Sequence, residues 1–189
     1  MREKIIRTCI ALFNQRGCRF TLDDITEALK ISRKTFYKYF LSKEEALMAL
    51  IDEMHGAVYP QQCAVLADPS LTTVQKLSRS LTLRLPYEDE IDLVRIYEVE
   101  QYYPDVYAHF METYEKGWEI TEELLRRGMD EGSIRRENVE LVRLLLENGM
   151  RMLYQGDFLR RTGLAYHDAL EQTVAIILRG IEQKGEPVC

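Results

Sequence analysis

Arg33, Lys34 and Lys38 fall in one short stretch with four hydroxyl-bearing residues, Ser32, Thr35, Tyr37 and Tyr39. Guanidinium and ammonium groups can donate to guanine O6 and N7. Hydroxyls and free helix amides can donate to phosphate oxygens. The chemistry of this set is therefore recognition of a nucleic acid. Lys43, a little further on, could add a phosphate contact through its charge and the amides of the helix it opens.

Other chemistries find no such set. Cys9, Cys18, Cys63 and Cys189 are scattered without a C-x-x-C pair, and His55, His109 and His167 lie far apart. Structural zinc and a disulfide framework are unsupported. No nucleophile–base pair or phosphate-cradling glycine loop is present, so no catalytic residue, metal or cofactor is expected.

The elements around the basic stretch must hold it outward. Ile6, Cys9, Ile10 and Phe13 form the i, i+3, i+4, i+7 stripe of a first helix, which stops at Gly17. Thr21 caps a second helix, with Asp24 three residues on as in a capping box, and Leu22, Ile25 and Leu29 form its inner face. Lys30-Ile31-Ser32 breaks the pattern. A short third helix then spans Arg33 to Phe40, with Phe36 and Phe40 inward and the basic and hydroxyl residues outward. Two short helices sharing an apolar seam across a three-residue turn form a helix-turn-helix, at about 21–40. Ser42-x-x-Glu45 opens a fourth helix with the stripe Ala46-Leu47, Leu50-Ile51 and Met54.

The chain has 189 residues, 46% hydrophobic and 30% charged, as in an ordinary soluble globular protein. Its net charge of −6 is unevenly placed. Residues 1–50 hold ten Lys+Arg against six Asp+Glu, which leaves fifteen against twenty-five in the rest. A basic head on an acidic body suits a protein presenting one end to a polyanion. No apolar run approaches the ~18 residues of a membrane span, and Met1-Arg2-Glu3-Lys4 leads into a mixed helix. No membrane partner is expected, and the expected compartment is the cytoplasm.

Thr21-x-x-Asp24-Ile25 followed by Ile31-Ser32-Arg33-x-Thr35-Phe36-Tyr37-x-Tyr39-Phe40-x-Ser42-Lys43-Glu44-Glu45 resembles the signature of the TetR family of bacterial regulators. The resemblance covers residues 1 to about 58. Beyond them only a helical layout and the rhythm Arg127-Gly128-x-x-x-Gly132-x-Ile134-Arg135 are family-like. It implies Arg33 and Lys34, with Lys38, as base readers. It implies Ser32, Thr35, Tyr37, Tyr39, Lys43 and the amide end at Thr21 as phosphate contacts. Two positions depart from the family. Lys30 stands where a turn glycine is frequent, and a left-handed conformation there costs about 1 kcal/mol. Lys34 replaces another frequent glycine and adds charge near the groove floor.

The body reads as helices over about 71–86, 88–102, 104–130, 136–156 and 165–183, punctuated by Pro60, Asp68-Pro69-Ser70, Pro86 and Pro104. Tyr107, Met111, Tyr114 and Trp118 share one face of the helix that Pro104 starts, with Tyr97 upstream. Such a stripe is more often a helix core than the lining of a pocket, which here would suit an aromatic or amphipathic effector. Val142, Leu145, Gly149 and Met152, with Val174, Ile177 and Ile181, form stripes that serve a single-chain core or an interface. The resemblance implies a four-helix, two-fold homodimer contact.

The expected architecture is all-α, about nine helices. A helix-turn-helix head over 1–58 precedes a helical effector-binding and dimerisation body over 59–189. The expected function is sequence-specific regulation of transcription by a homodimer on double-stranded DNA bearing an inverted repeat, probed by a small-molecule effector that releases it. A helical protein-interaction module without DNA binding is the alternative.

Overall fold

The structure is a computed structural model describing residues 1–92, 95–154 and 158–183; for Ile96, Tyr97 and Tyr154 only the backbone is described. The helices in chain order are α1 (Arg2–Arg16), α2 (Leu22–Leu29), α3 (Arg33–Phe36), α4 (Lys43–His55), α5 (Val58–Ala67) and α6 (Thr73–Leu81). They continue with α7 (Ile96–Tyr102), α8 (Pro104–Asp130), α9 (Val139–Tyr154), α10 (Phe158–Thr162) and α11 (Tyr166–Ile181). Among the described residues the only strand-like pairing is an isolated antiparallel bridge between Ile134 and Glu182. The helices beyond the nine expected are α5, which runs through Pro60, and the short α10. The helix expected over 88–102 is a helix from Ile96, and residues 86–90 form turns around Tyr87, whose φ is 63°. The expected third helix closes its regular part at Phe36, and tighter bonds such as Tyr39 N–H to the Phe36 carbonyl, 2.9 Å, carry it to Phe40.

Two compact units result. The first joins Met1–Ala57 to Leu85–Tyr114. Its core takes Ile5, Ile6, Cys9, Ile10 and Phe13 from α1, Ile25 from α2, and Phe36 and Phe40 from the third element. Leu50 and Met54 of α4 complete it. Deleting a buried ring such as Phe36, wholly inaccessible, would cost about 3–5 kcal/mol. The later segment is tied on by polar bonds. Asn14 Nδ2 donates to the Glu90 carbonyl at 2.6 Å, and the Asp92 amide donates to Asn14 Oδ1 at 2.8 Å. Gly17 ends α1 with φ 60°, and the Glu98 carboxylate lies where a Cβ would stand, accepting from the Cys18 amide at 3.2 Å. Any side chain at Gly17 would be strained by its φ and would also collide with that carboxylate.

The second unit joins Val58–Arg84 to the described residues from Glu115 onward. Here α11 packs against α9 and α6. Arg143 of α9 bridges Glu115, Glu122 and Glu147 at 2.7, 3.1 and 2.8 Å and lies over the buried Trp118 ring, 5.3 Å from its centroid. These contacts fix α9 on this stretch of α8.

The expected dimer stripes divide between the interior of the protomer and its surface. Val142, Val174 and Ile181 are buried inside the protomer, and a Cβ on Gly149 would meet Thr173 Cγ2 at 2.9 Å and Ile177 Cδ1 at 3.7 Å. Gly149 of α9 thus packs closely on Thr173 and Ile177 of α11. Leu145 and Met152 do face outward, 52% and 58% exposed, and Leu141, Leu144 and Ile176 are exposed too. The reason is that α9 carries two apolar stripes one residue out of phase: Val142, Leu146 and Leu153 inward, and Leu141, Leu145 and Met152 outward.

Candidate nucleic-acid interface

The interface is assembled by local bonds that the sequence specifies. Thr21 Oγ1 accepts from the Asp24 amide at 3.2 Å while Asp24 Oδ2 accepts from the Thr21 amide at 2.7 Å, a complete capping box that starts α2. Those bonds first, and Arg16 second, hold the Asp24 carboxyl below the usual range. The turn runs through Lys30 in the left-handed conformation, φ 52° and ψ 44°. Its amide donates to the Glu27 carbonyl at 3.1 Å, and the Ile31 amide donates to Thr26 at 3.0 Å. A lysine here carries the strain that a glycine would avoid.

Ser32 then caps α3, its Oγ accepting from the Thr35 amide at 3.1 Å and lying 3.0 Å from Thr35 Oγ1. Phe36 and Phe40 point into the core with ring centroids 6.0 Å apart. With both rings anchored, Ser32, Arg33, Lys34, Tyr37, Lys38 and Tyr39 are exposed and Thr35 half-exposed. Thr21 is exposed at the head of α2. Seven of the nine expected contact residues thus lie on one continuous segment, and Thr21 lies across the turn from it. Arg33 is paired with Asp23, whose hydrogen bonds hold the guanidinium pKa above and the carboxyl pKa below their ordinary values.

Lys43 is the exception. Its side chain is buried and its ammonium turns inward, donating to the Cys18 carbonyl at 2.8 Å and to the Phe20 carbonyl. The same Nζ lies 3.7 Å from the centroid of the Phe20 ring and 4.9 Å from that of Tyr103. Burial pushes its pKa below the usual lysine value. In this conformation Lys43 is a strut of the head, and Ser42 caps the amide end of α4. The Ser42 Oγ accepts from the Glu45 amide at 3.1 Å, while the Glu45 carboxylate reaches the Leu41 amide rather than that of Ser42. The contact pattern that claims Lys43 is long-range in sequence, so no local signal announces it.

The expected effector residues separate. Tyr107 lines an apolar cavity of the first unit together with Phe110, a residue the sequence reading passed over. Tyr114 stacks on Phe110 at 5.8 Å, and Met111 is half-buried. Trp118 is buried in the second unit, and the side chain of Tyr97 lies outside the described residues. Among the described residues no group of three or more His, Cys, Asp or Glu could hold a metal ion, and no helix is long and apolar enough to cross a membrane.

Comparison with known proteins agrees with this geometry. Residues 5–50 match the profile of the family described as bacterial regulatory proteins, tetR family. Over 182 residues the chain is 22% identical to the HTH-type transcriptional regulator YvaF of Bacillus subtilis (strain 168), covering 96% of this chain and 95% of that one. Its fold is similar to the ketosteroid transcriptional regulator KstR2 of Mycobacterium tuberculosis, with TM-score 0.72, 20% identity, and 97% and 95% of the two chains covered. It is also similar to the transcriptional regulator FadR of Bacillus subtilis, solved in complex with stearoyl-CoA. There the TM-score is 0.71, the identity 18%, and 96% and 100% of the chains are covered.

Proposed function

We propose that this chain, whose head matches the tetR-family profile, is a DNA-binding transcriptional regulator and acts as a homodimeric repressor. It binds an inverted-repeat operator in the cytoplasm and leaves it when a small molecule binds. The observation that carries this reading is the outward face around α3. Phe36 and Phe40 are anchored below it, and Arg33, Lys34 and Lys38 stand among hydroxyls on a short capped helix. A helix so capped can enter the major groove with its basic N-terminal residues at base edges and its hydroxyls at the flanking phosphates.

The dimer is supported by Leu141, Leu144 and Leu145 of α9 and Ile176 of α11, large apolar side chains left exposed on neighbouring helices. A two-fold contact through such a face is self-complementary and presents two heads to two half-sites. Release requires that the effector prefer the conformer that fits DNA poorly. That a FadR of the same fold was solved with stearoyl-CoA supports an effector-binding role for the fold.

Selection of fragments from a random duplex pool by the purified protein tests the proposal. It should enrich an inverted repeat, with half-sites about one helical turn or more apart. Enrichment of a single asymmetric site, or of nothing, would overturn it.

A further inference from the structure

Beneath the head lies a cavity built by elements of the first unit. Phe13 comes from α1, Leu50, Met54 and His55 from α4, Val99 from α7 and Phe110 from the first turns of α8. Its closed space is narrow, about 40 Å³, room for a few water molecules at most. No Asp, Glu, Lys or Arg is among the described residues that line it. Its polar groups are the His55 and Tyr107 side chains, and the His55 ring is packed edge-on against Phe110, centroids 5.1 Å apart. Loss of hydration pushes the His55 pKa down to about 4, so near neutral pH this ring is uncharged too.

We propose that this cavity is where the effector binds, and that it takes an uncharged, apolar molecule of aromatic or hydrocarbon character with no ionised group inside. The inference rests on the regulator reading for its purpose and on the cavity's chemistry for its content. A carboxylate or phosphate entering here would lose its hydration and find no cation or charged partner among the described lining residues, which costs several kcal/mol. A neutral ring or chain loses nothing comparable and gains from leaving water. Because the space is narrow, a ligand enters by moving side chains of α4 away from those of α8. Helix α4 also closes the head core through Leu47 and Leu50, and α1, which supplies Phe13, packs on α2. Occupancy is thereby felt by the helices that aim α3.

The test uses two fluorescent probes that differ chiefly by one charge. They are neutral N-phenyl-1-naphthylamine and its close analogue 8-anilino-1-naphthalenesulfonate, each titrated into the intact protein. The neutral probe should bind once per chain and at least tenfold more tightly than the sulfonate. Filling the cavity by Val99→Trp should weaken it at least tenfold. Ile91→Trp, at a half-buried position of the same lining, should do the same and serves if the first variant does not fold, as read from its helical circular dichroism. Equal affinity for the two probes, no binding of the neutral probe, or undiminished binding by folded variants would overturn the proposal. Duplex-DNA binding by the unliganded wild type is measured alongside. DNA binding without probe binding sinks the cavity assignment alone, and probe binding without DNA binding sinks the regulator reading alone.

Discussion

The Arg33 guanidinium holds the Asp23 carboxylate in two parallel hydrogen bonds, Nε to Oδ1 at 2.8 Å and Nη2 to Oδ2 at 2.6 Å. The foremost candidate base reader is thus already partnered before DNA arrives. Both side chains are exposed, 62% and 64%, so water screens the pair and it contributes little to stability. The pair must open, or be shared, when Arg33 donates to a base.

Asp23→Ala should therefore tighten binding to heterogeneous duplex DNA about fivefold, roughly 1 kcal/mol, because it removes a competing acceptor and a negative charge facing phosphates. Electrophoretic or anisotropy titration at fixed salt reads this. Weaker binding would mean that Asp23 serves to orient Arg33.

Lys43→Met keeps the aliphatic stem and removes the donors to the Cys18 and Phe20 carbonyls. It should lower unfolding stability by about 1–3 kcal/mol while leaving the salt dependence of DNA binding unchanged. A salt slope reduced by about one unit with stability intact would make Lys43 a phosphate contact after all.

His55 is neutral in the folded chain down to pH about 4, whereas in the unfolded chain it takes a proton near pH 6.5. Above 6.5 both states are neutral there and the group contributes nothing to pH dependence. As pH falls from 6.5 to 4 the unfolded state alone gains the proton, and the folded state loses up to about 2–3 kcal/mol relative to it. His55→Phe should remove that part of the acid sensitivity, as read from urea midpoints at pH 7 and pH 4.5. An unchanged difference between the two midpoints would contradict the assignment.

Leu145→Glu and Ile176→Glu place a charge on a face that is exposed in the protomer, so each variant should keep its helical content yet scatter light as a monomer. Operator affinity should fall by orders of magnitude, since one head loses the high effective concentration of the other. Val174→Glu, at a fully buried position, should unfold the second unit instead. Dimers persisting in both surface variants would remove this face from consideration.

Where the signals are local, the sequence carried them: the Thr21–Asp24 box, the Ser32 cap, the strained turn at Lys30 and the inward Phe36 and Phe40 all follow from spacing within one or two helical turns. What it could not carry is choice between alternatives of equal local pattern. Both faces of α9 are apolar, so periodicity does not say which meets α11 and which is left outside. Lys43 looks like any basic residue at a helix start, and only the fold brings the Cys18 and Phe20 carbonyls within its reach. The aromatic stripe after Pro104 was legible as a stripe, but its members part between the cavity of the first unit and the core of the second.

The central claim, that the face around α3 grips DNA, is tested most directly by titrating mixed-sequence duplex DNA at several salt concentrations. Neutralised phosphates release condensed counterions, so log K should fall linearly with log salt, at a slope steeper than about −3, despite the chain's net charge of −6. Arg33→Ala, Lys34→Ala and Lys38→Ala together should flatten that slope. No binding at low salt, or a slope near zero that the triple substitution leaves unchanged, would contradict the account.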